Sequence, residues 1–214
     1  MIGNDKDVRD ETPRQRRQER TRRLIKDEAL RMVRESGIAA LSFRELARRV
    51  DYSPAALYEY FDSREALLGE LAREGYERLG EALRAPEGLR PLARLGVMCR
   101  GYLGFAARSP EHFLLVFTDL PGTAPDWAAF RAASPSYEWL VEAVRDGLAS
   151  GELEDPAGHG PVGLAFGIWG LVHGLSMLRA TALRGLGEDL SPAQEAAVDA
   201  HLKGLSARRR DARR

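Results

Sequence analysis

Apolar residues recur at helical spacing along most of the chain. Between residues 12 and 36, Ile25, Ala29, Met32 and Val33 form one stripe among charged positions. That pattern predicts a helix capped by Thr12, with Pro13 in its first turn, where an amide is unpaired anyway. Gly37 ends it, because glycine takes a left-handed backbone without steric cost. Phe43, Leu46, Ala47 and Val50 then follow i, i+3, i+4, i+7 and face a core. Ser42 with Glu45 three residues on predicts a capping box at that helix's start, and the helix stops near residues 51–52. A third, short helix begins at once, with Ser53 as cap and Pro54 in first position. It ends near Tyr60, and its spacing turns Leu57 and Phe61 inward. Two short helices joined by a few turn residues, behind a longer one, describe a helix-turn-helix.

A fourth helix is predicted over 63–83, with Leu67, Leu68, Leu71 and Leu79 on one side. Ala85-Pro86-Glu87-Gly88 breaks the pattern. Helices follow at 89–108, 109–117, 135–150 (ended by Gly151), 161–184 and 191–207, with a loop at 120–126. No run of β-branched residues with turn signals suggests a strand. The expected fold is all-α: a three-helix helix-turn-helix domain over 15–62, a connecting helix over 63–84 and a larger helical domain over 85–207. A flexible arm (1–14) and a basic tail (208–214) flank them.

The formal net charge is zero, but the average hides a division. Residues 12–50 carry twelve basic and five acidic side chains, while residues 51–207 carry thirteen and twenty-two. A basic block on an acidic chain is the footprint of a polyanion partner; a solvated helix face with a frayed tail gives the same count. Cys99 is the one cysteine and forbids an internal disulfide. It lies in apolar periodicity with Leu95, Met98 and Tyr102, as a buried, inert thiol would. The polar residues 1–11 predict no secretory signal, and a reducing cytoplasm is the expected compartment. His112, His159, His173 and His201 lack metal-ligand spacing. No metal, cofactor or catalytic residue is expected, since no Gly-rich phosphate loop, nucleophile elbow or His-Glu-x-x-His occurs.

Residues 163–178 contain no Asp, Glu, Lys or Arg. A membrane span is one reading, but the uncharged run is short for a bilayer and holds His173 and four glycines. A buried helix fits better. At about 100° per residue, Gly163, Gly167, Gly170 and Gly174 share one stripe. Leu164, Ile168, Leu171, Leu175 and Leu178 form one flank, read as ordinary core, and Phe166, Trp169, His173 and Met177 form the other. Helical glycine costs roughly 1 kcal/mol against alanine, so four on one face suggest close approach of another helix, and a symmetry mate would supply one. Val198, His201, Leu202 and Leu205 of the last helix extend this candidate dimer interface. Tyr102, Phe105, Phe113, Phe117, Trp139, Phe166, Trp169, His173 and Met177 are pocket candidates; core filling is the alternative for each aromatic. His173 needs a hydrogen-bond partner on a buried helix.

Small residues at the start of the third helix (Ser53, Pro54, Ala55) let a backbone approach base edges in a major groove. Ser42, Tyr58 and Tyr60 can donate to phosphate, Arg44 can reach a base or a phosphate, and Arg64 can clamp another phosphate. Packing and capping are the alternatives for each. Read together as Ser42, Leu46-Ala47, Ser53, Leu57-Tyr58, Tyr60-Phe61 and Arg64-Glu65, the segment resembles the DNA-binding domain of the tetracycline-repressor (TetR) family over about residues 18–77. Asp51 stands where that family usually has glycine, and Tyr60 where histidine is common. Trp169, His173 and Gly174 are similar to the Trp-His-Gly type of C-terminal domain. The resemblance implies a ligand-responsive transcription regulator. It would dimerise through its last two long helices, bind a near-palindromic double-stranded DNA operator, and be released by a small, largely apolar effector. An enzyme or carrier built on the helical domain, or a helical interaction protein, are the competing functions.

Overall fold

The computed structural model describes residues 12–117 and 135–207. The predicted loop at 120–126, the tail at 208–214 and most of the arm at 1–14 lie outside them. The chain divides into two compact units at Leu71/Ala72.

The first unit begins with α1 (Pro13–Ser36). Its start is fixed locally: the Thr12 hydroxyl accepts from the Gln15 amide at 3.3 Å, and Gln15 Oε1 accepts from the Thr12 amide at 2.9 Å. Gly37 ends the helix at φ +81°. Its ψ of 169° makes this an extended glycine stop and not a left-handed cap. A 3-10 turn over Ile38–Ala40 follows, too short to register as periodicity. Next come α2 (Phe43–Arg49), α3 (Pro54–Leu57) and the first turns of α4 (Arg64–Leu83). Ile25, Ala29 and Val33 of α1 close on Leu41, Leu46, Ala47, Leu57 and Phe61, all at most 3 % exposed. Full burial of each large side chain contributes roughly 1.5–3 kcal/mol.

The capping box expected at α2 forms only by half. Ser42 Oγ accepts from the Glu45 amide at 3.3 Å. The Glu45 carboxylate turns instead to Arg48 (2.7 and 2.9 Å) and Arg49 (3.0 Å), because bonds from two guanidiniums outcompete one neutral amide. Hydrogen bonds from Arg48 and Arg49 hold that carboxyl down at about 2. Arg49 also reaches Glu35 at 2.7 Å and the buried Glu28 at 3.3 Å, tying α2 to α1.

In the second unit the rest of α4 is followed by α5 (Pro91–Arg108), α6 (Pro110–Val116), α7 (Pro135–Ala149), α8 (Gly160–Ala180) and α9 (Ser191–Leu205). α5 is central and packs on α6, α7, α8 and α9. The Asp155 carboxylate caps the approach to α8, accepting from the Gly160 and His159 amides at 2.7 and 3.0 Å. Those bonds hold it below the usual carboxylate range. α8 ends at Ala180, four residues short of the expected limit, where the Thr181 hydroxyl bonds back to the Met177 carbonyl. Past α9 the chain makes one antiparallel bridge, Leu153 with Ser206, flanked by amide bonds Glu154 to Leu205 and Ala207 to Glu152, both 2.9 Å.

Candidate nucleic-acid interface and interior cavity

The exposed surface of α2 and α3 carries most of the residues proposed to meet DNA. Ser42 and Arg44 on α2, and Ser53, Pro54 and Ala55 at the start of α3, are all exposed. Ser53 Oγ accepts from the Ala56 amide at 3.1 Å, fixing the α3 start. Tyr58 is 57 % exposed. Its ring lies edge-on to Phe43 at 5.1 Å, which brings the end of α3 to the start of α2. The turn between them holds Asp51 at φ +59°, alone among the described non-glycine residues in the left-handed region. Tyr60 is half-buried, and its carbonyl accepts from Arg22.

Arg64 departs from its expected role as a phosphate clamp. Its Nε donates to the Leu41 carbonyl at 2.7 Å and its Nη2 to the Ile38 carbonyl at 2.8 Å, while Nη1 lies 3.2 Å from Glu65. The guanidinium is committed to the backbone turn between α1 and α2. The sequence pattern showed a basic residue at a helix start but not the carbonyls of a 3-10 turn that would claim it. In contrast, every residue from 13 to 20 is exposed, including Arg14, Arg16, Arg17 and Arg20. The basic block over 12–50 already marked this region, though not these side chains.

In the second unit a small cavity of about 50 Å³, partly open to solvent, lies among α4, α5, α7 and α8. Leu79, Leu83, Met98, Leu140, Ile168 and Val172 wall it, with the rings of Tyr76, Tyr102, Phe117, Tyr137 and Trp169, and with Cys99 and Ser136. No Asp, Glu, Lys or Arg lines it among the described residues. Burial pushes the Cys99 thiol up to about 12, so it stays protonated. The main polar handle is Tyr102, whose hydroxyl lies 2.9 Å from Nδ1 of His173. Burial raises the phenol's pKa and lowers that of His173, so both stay neutral at pH 7. Tyr76 donates to the Val116 carbonyl at 3.2 Å and Tyr137 to the Val162 carbonyl at 3.4 Å.

Among the pocket candidates, Tyr102, Phe117 and Trp169 form cavity wall, and His173 stands behind them, 4.7 Å from Phe117 between ring centroids. Phe105 and Phe113 are buried in the adjoining core. Trp139 and Met177 pack half-buried against that core, outside the wall. Phe166 is 55 % exposed, so it belongs to the surface and not to a pocket. The supposed core flank divides as well: Ile168 faces the cavity, while Leu178 is 51 % exposed. Tyr76, Leu79, Met98, Leu140 and Val172 went unpredicted, because periodicity gives the inward face of each helix but not which faces leave a gap.

The glycine stripe is open. Gly163, Gly167 and Gly170 are exposed and Gly174 half-buried. A methyl at Gly167, Gly170 or Gly174 would meet nothing within 4 Å. Val198 and Leu202, assigned to the interface with them, are 1 % and 6 % exposed in the protomer's own core; the apolar side of α9 turns inward. His201 and Leu205 are half-buried. By length and composition α8 is also long and apolar enough to cross a membrane, but Leu164, Ile168 and Val172 on its inner side are core residues of this unit.

Residues 25–71 match the family model described as "Bacterial regulatory proteins, tetR family". Residues 95–202, half of the chain, match "Tetracyclin repressor-like, C-terminal domain", a span that includes Trp169, His173 and Gly174. The HTH-type transcriptional repressor KstR of Rhodococcus jostii (strain RHA1) is 37% identical over 79 residues, which are 36% of this chain and 37% of that one. The match thus spans little more than a third of that relative's length. The putative regulatory protein SCO4313 is similar in structure, with TM-score 0.65 and 28% identity over 90% of this chain and 100% of that one. AibR, solved with isovaleryl coenzyme A and operator DNA, shares the fold at TM-score 0.65 and 20% identity over 86% and 97%. An N-terminal helix-turn-helix match and a C-terminal match covering half the chain leave one assignment: the protein belongs to the TetR family of bacterial regulatory proteins.

Proposed function

We propose that the protein is a cytoplasmic, non-enzymatic repressor that binds a near-palindromic operator as a homodimer and releases it when a small, largely apolar effector enters the second unit. The observation that carries this reading is the uncharged cavity with the Tyr102–His173 pair as its main polar handle. Ligand sites are mostly apolar, with a few placed polar groups. An ionised group brought there without a partner would lose several kcal/mol of hydration, so the buried end of the effector is neutral. AibR, whose structure holds a thioester and operator DNA, is a fold-level precedent for one chain serving both partners. The repressor sense follows the KstR likeness.

The exposed Gly163–Gly174 stripe with Phe166 and Leu178 on its borders supplies the dimer seam. In this reading the apolar outer face of α8 is covered by a second copy, not by lipid. The effector binds one spacing of the two helix-turn-helix heads better than the other, and so shifts that equilibrium.

The test begins with duplexes selected by the protein from random DNA. Trp169 fluorescence is then followed against neutral and carboxylate ligands of equal chain length. Neutral members are expected to quench it and to release the duplex. Ile168→Trp, which fills the cavity, should abolish the response and keep DNA affinity within a few fold. Tight binding of the carboxylate at pH 7.5, or release from the filled variant, would remove the cavity from the mechanism. A monomer by light scattering at micromolar concentration would remove the dimer.

A further inference from the structure

Seven cationic side chains lie between residues 14 and 26, and the fold treats them in two ways. Arg22 and Lys26 turn inward. Arg22 donates to the Tyr60 carbonyl, pairs with Glu70 and stacks 4.1 Å over the Phe61 ring, while Lys26 reaches Glu70 at 3.0 Å. Arg14, Arg16, Arg17, Arg20 and Arg23 face solvent. Among the described residues the one acidic partner of these five is Asp27, 4.0 Å from Arg23 with both side chains exposed, a pair of negligible strength.

Four of these arginines sit on turns of α1 that the unit's core does not require. Burial along α1 starts at Thr21; the two turns before it, residues 13–20, are exposed at every position. Four guanidiniums within seven residues repel one another, and Glu19 is the one carboxylate among them. The segment lies at the surface at every position. Its position is defined, however. Thr21 Oγ1 lies 3.4 Å from the Tyr52 hydroxyl, and Tyr52 directly precedes Ser53, the cap of α3. The exposed turns therefore leave the body of the unit beside the start of the recognition helix. Eight further residues extend about 12 Å at 1.5 Å each. Arg16, Arg20 and Arg23 recur at i, i+4, i+7 and make one line about 10 Å long at 1.5 Å per residue. A DNA strand presents a phosphate about every 3.4 Å of helix axis, so the line spans about three of them.

We infer that the exposed face of α1 from Arg16 to Arg23 is a second DNA contact, in which Arg16, Arg20 and Arg23 grip the phosphates of duplex flanking the half-site read by α3. This rests on the DNA-binding reading proposed for α2 and α3. The contact carries no base information, so it sets affinity and salt dependence and leaves sequence preference unchanged.

The test uses the full chain and the duplex that the wild-type protein selects from random sequence, made with and without six flanking base pairs on each side. Anisotropy titrations between 50 and 300 mM NaCl give the slope of log K against log salt. The R16A/R20A/R23A variant, exposed at all three sites, should keep its helicity by circular dichroism. Its slope should flatten by about 0.9 for each phosphate it no longer grips, close to three per subunit. Wild type should prefer the longer duplex and the variant should not, while both keep the same ratio of selected to scrambled sequence. R16K/R20K/R23K should restore the slope, since charge and not fork geometry is at work. An unchanged slope in the alanine variant, with normal selection of the duplex, overturns this contact alone. A changed sequence preference overturns it in favour of base reading. A wild-type protein that selects no duplex overturns the DNA-binding reading as well.

Discussion

Gly101 of α5 lies so close to Ala82 of α4 that a Cβ built on it would stand 1.9 Å from the Ala82 carbonyl oxygen. The obstacle is backbone and cannot rotate away. Gly101→Ala must therefore push α4 and α5, both walls of the cavity, away from each other, and overpacking of this kind costs about 1–3 kcal/mol. Gly80, in α4 itself, has nothing within 4 Å of its missing side chain, so Gly80→Ala should stabilise by roughly 0.5–1 kcal/mol through helix propensity. Urea unfolding of the two variants should move in opposite directions. A neutral Gly101→Ala would mean that α4 and α5 are farther apart than their backbones indicate.

Arg64 offers a second stability test. Its two bonds to the Leu41 and Ile38 carbonyls (2.7 and 2.8 Å) close the turn between α1 and α2. Hydrogen bonds to a charged group contribute about 1.5–3 kcal/mol. Arg64→Ala should cost that order of stability, and Arg64→Lys should recover little, because an ammonium lacks the planar fork that spans two carbonyls. DNA binding by the folded fraction should keep its salt slope. A flattened slope with unchanged stability would restore Arg64 as a phosphate ligand.

The helices were legible because their signals are local. Thr12, Ser42 and Ser53 cap where their residue types predict, and the stripe from Ile25 to Val33 is buried as its spacing requires. What escaped depends on partners distant in sequence. Arg64 is drawn to carbonyls 23 and 26 residues away. Arg49 is drawn to Glu35 and Glu28, 14 and 21 residues away. Whether Val198 points to its own core or to a neighbour is decided by how α9 rolls onto α5 and α8, and no periodicity within α9 contains that angle. The cavity has the same character: Leu79, Met98 and Leu140 look like core residues in sequence. They become a wall because the helices carrying them do not quite meet.

His173 sets a pH dependence. Burial holds its pKa below the ordinary value of 6.5. Above pH 6.5 it is neutral in both folded and unfolded chains and contributes no slope. As pH falls below 6.5 the unfolded chain takes up the proton first, so folding stability must fall with it. Protonation also leaves Nδ1 a donor only toward the Tyr102 hydroxyl, 2.9 Å away. Urea unfolding between pH 8 and 5.5 should therefore show wild type losing stability relative to His173→Phe, which has nothing to protonate there. Glu45, held down at about 2, loses its contribution only as pH falls through the carboxylate range, well below this window. Parallel pH profiles for the two proteins would mean that His173 is not desolvated.

The turn between α2 and α3 gives the last test. Asp51 sits at φ +59°, a region in which a non-glycine residue pays about 1–2 kcal/mol, with aspartate among the better tolerated. Asp51 is exposed, so its substitution changes backbone preference with little change in packing. Asp51→Gly relieves the strain but gains freedom in the unfolded chain worth about 0.4–1 kcal/mol, and the two effects should leave stability within about 1 kcal/mol of wild type. Asp51→Val, whose branched Cβ is least at home there, should cost about 1–2 kcal/mol. The turn also fixes how Ser53 and Pro54 are presented, since the Tyr52 amide bonds back to the Ala47 carbonyl at 2.9 Å across it. Asp51→Val should therefore weaken binding to the selected duplex by more than its unfolded fraction explains, whereas Asp51→Gly should bind as wild type does. If valine is tolerated in both respects, the backbone at this position is not left-handed in solution, and the presentation of α3 does not depend on it.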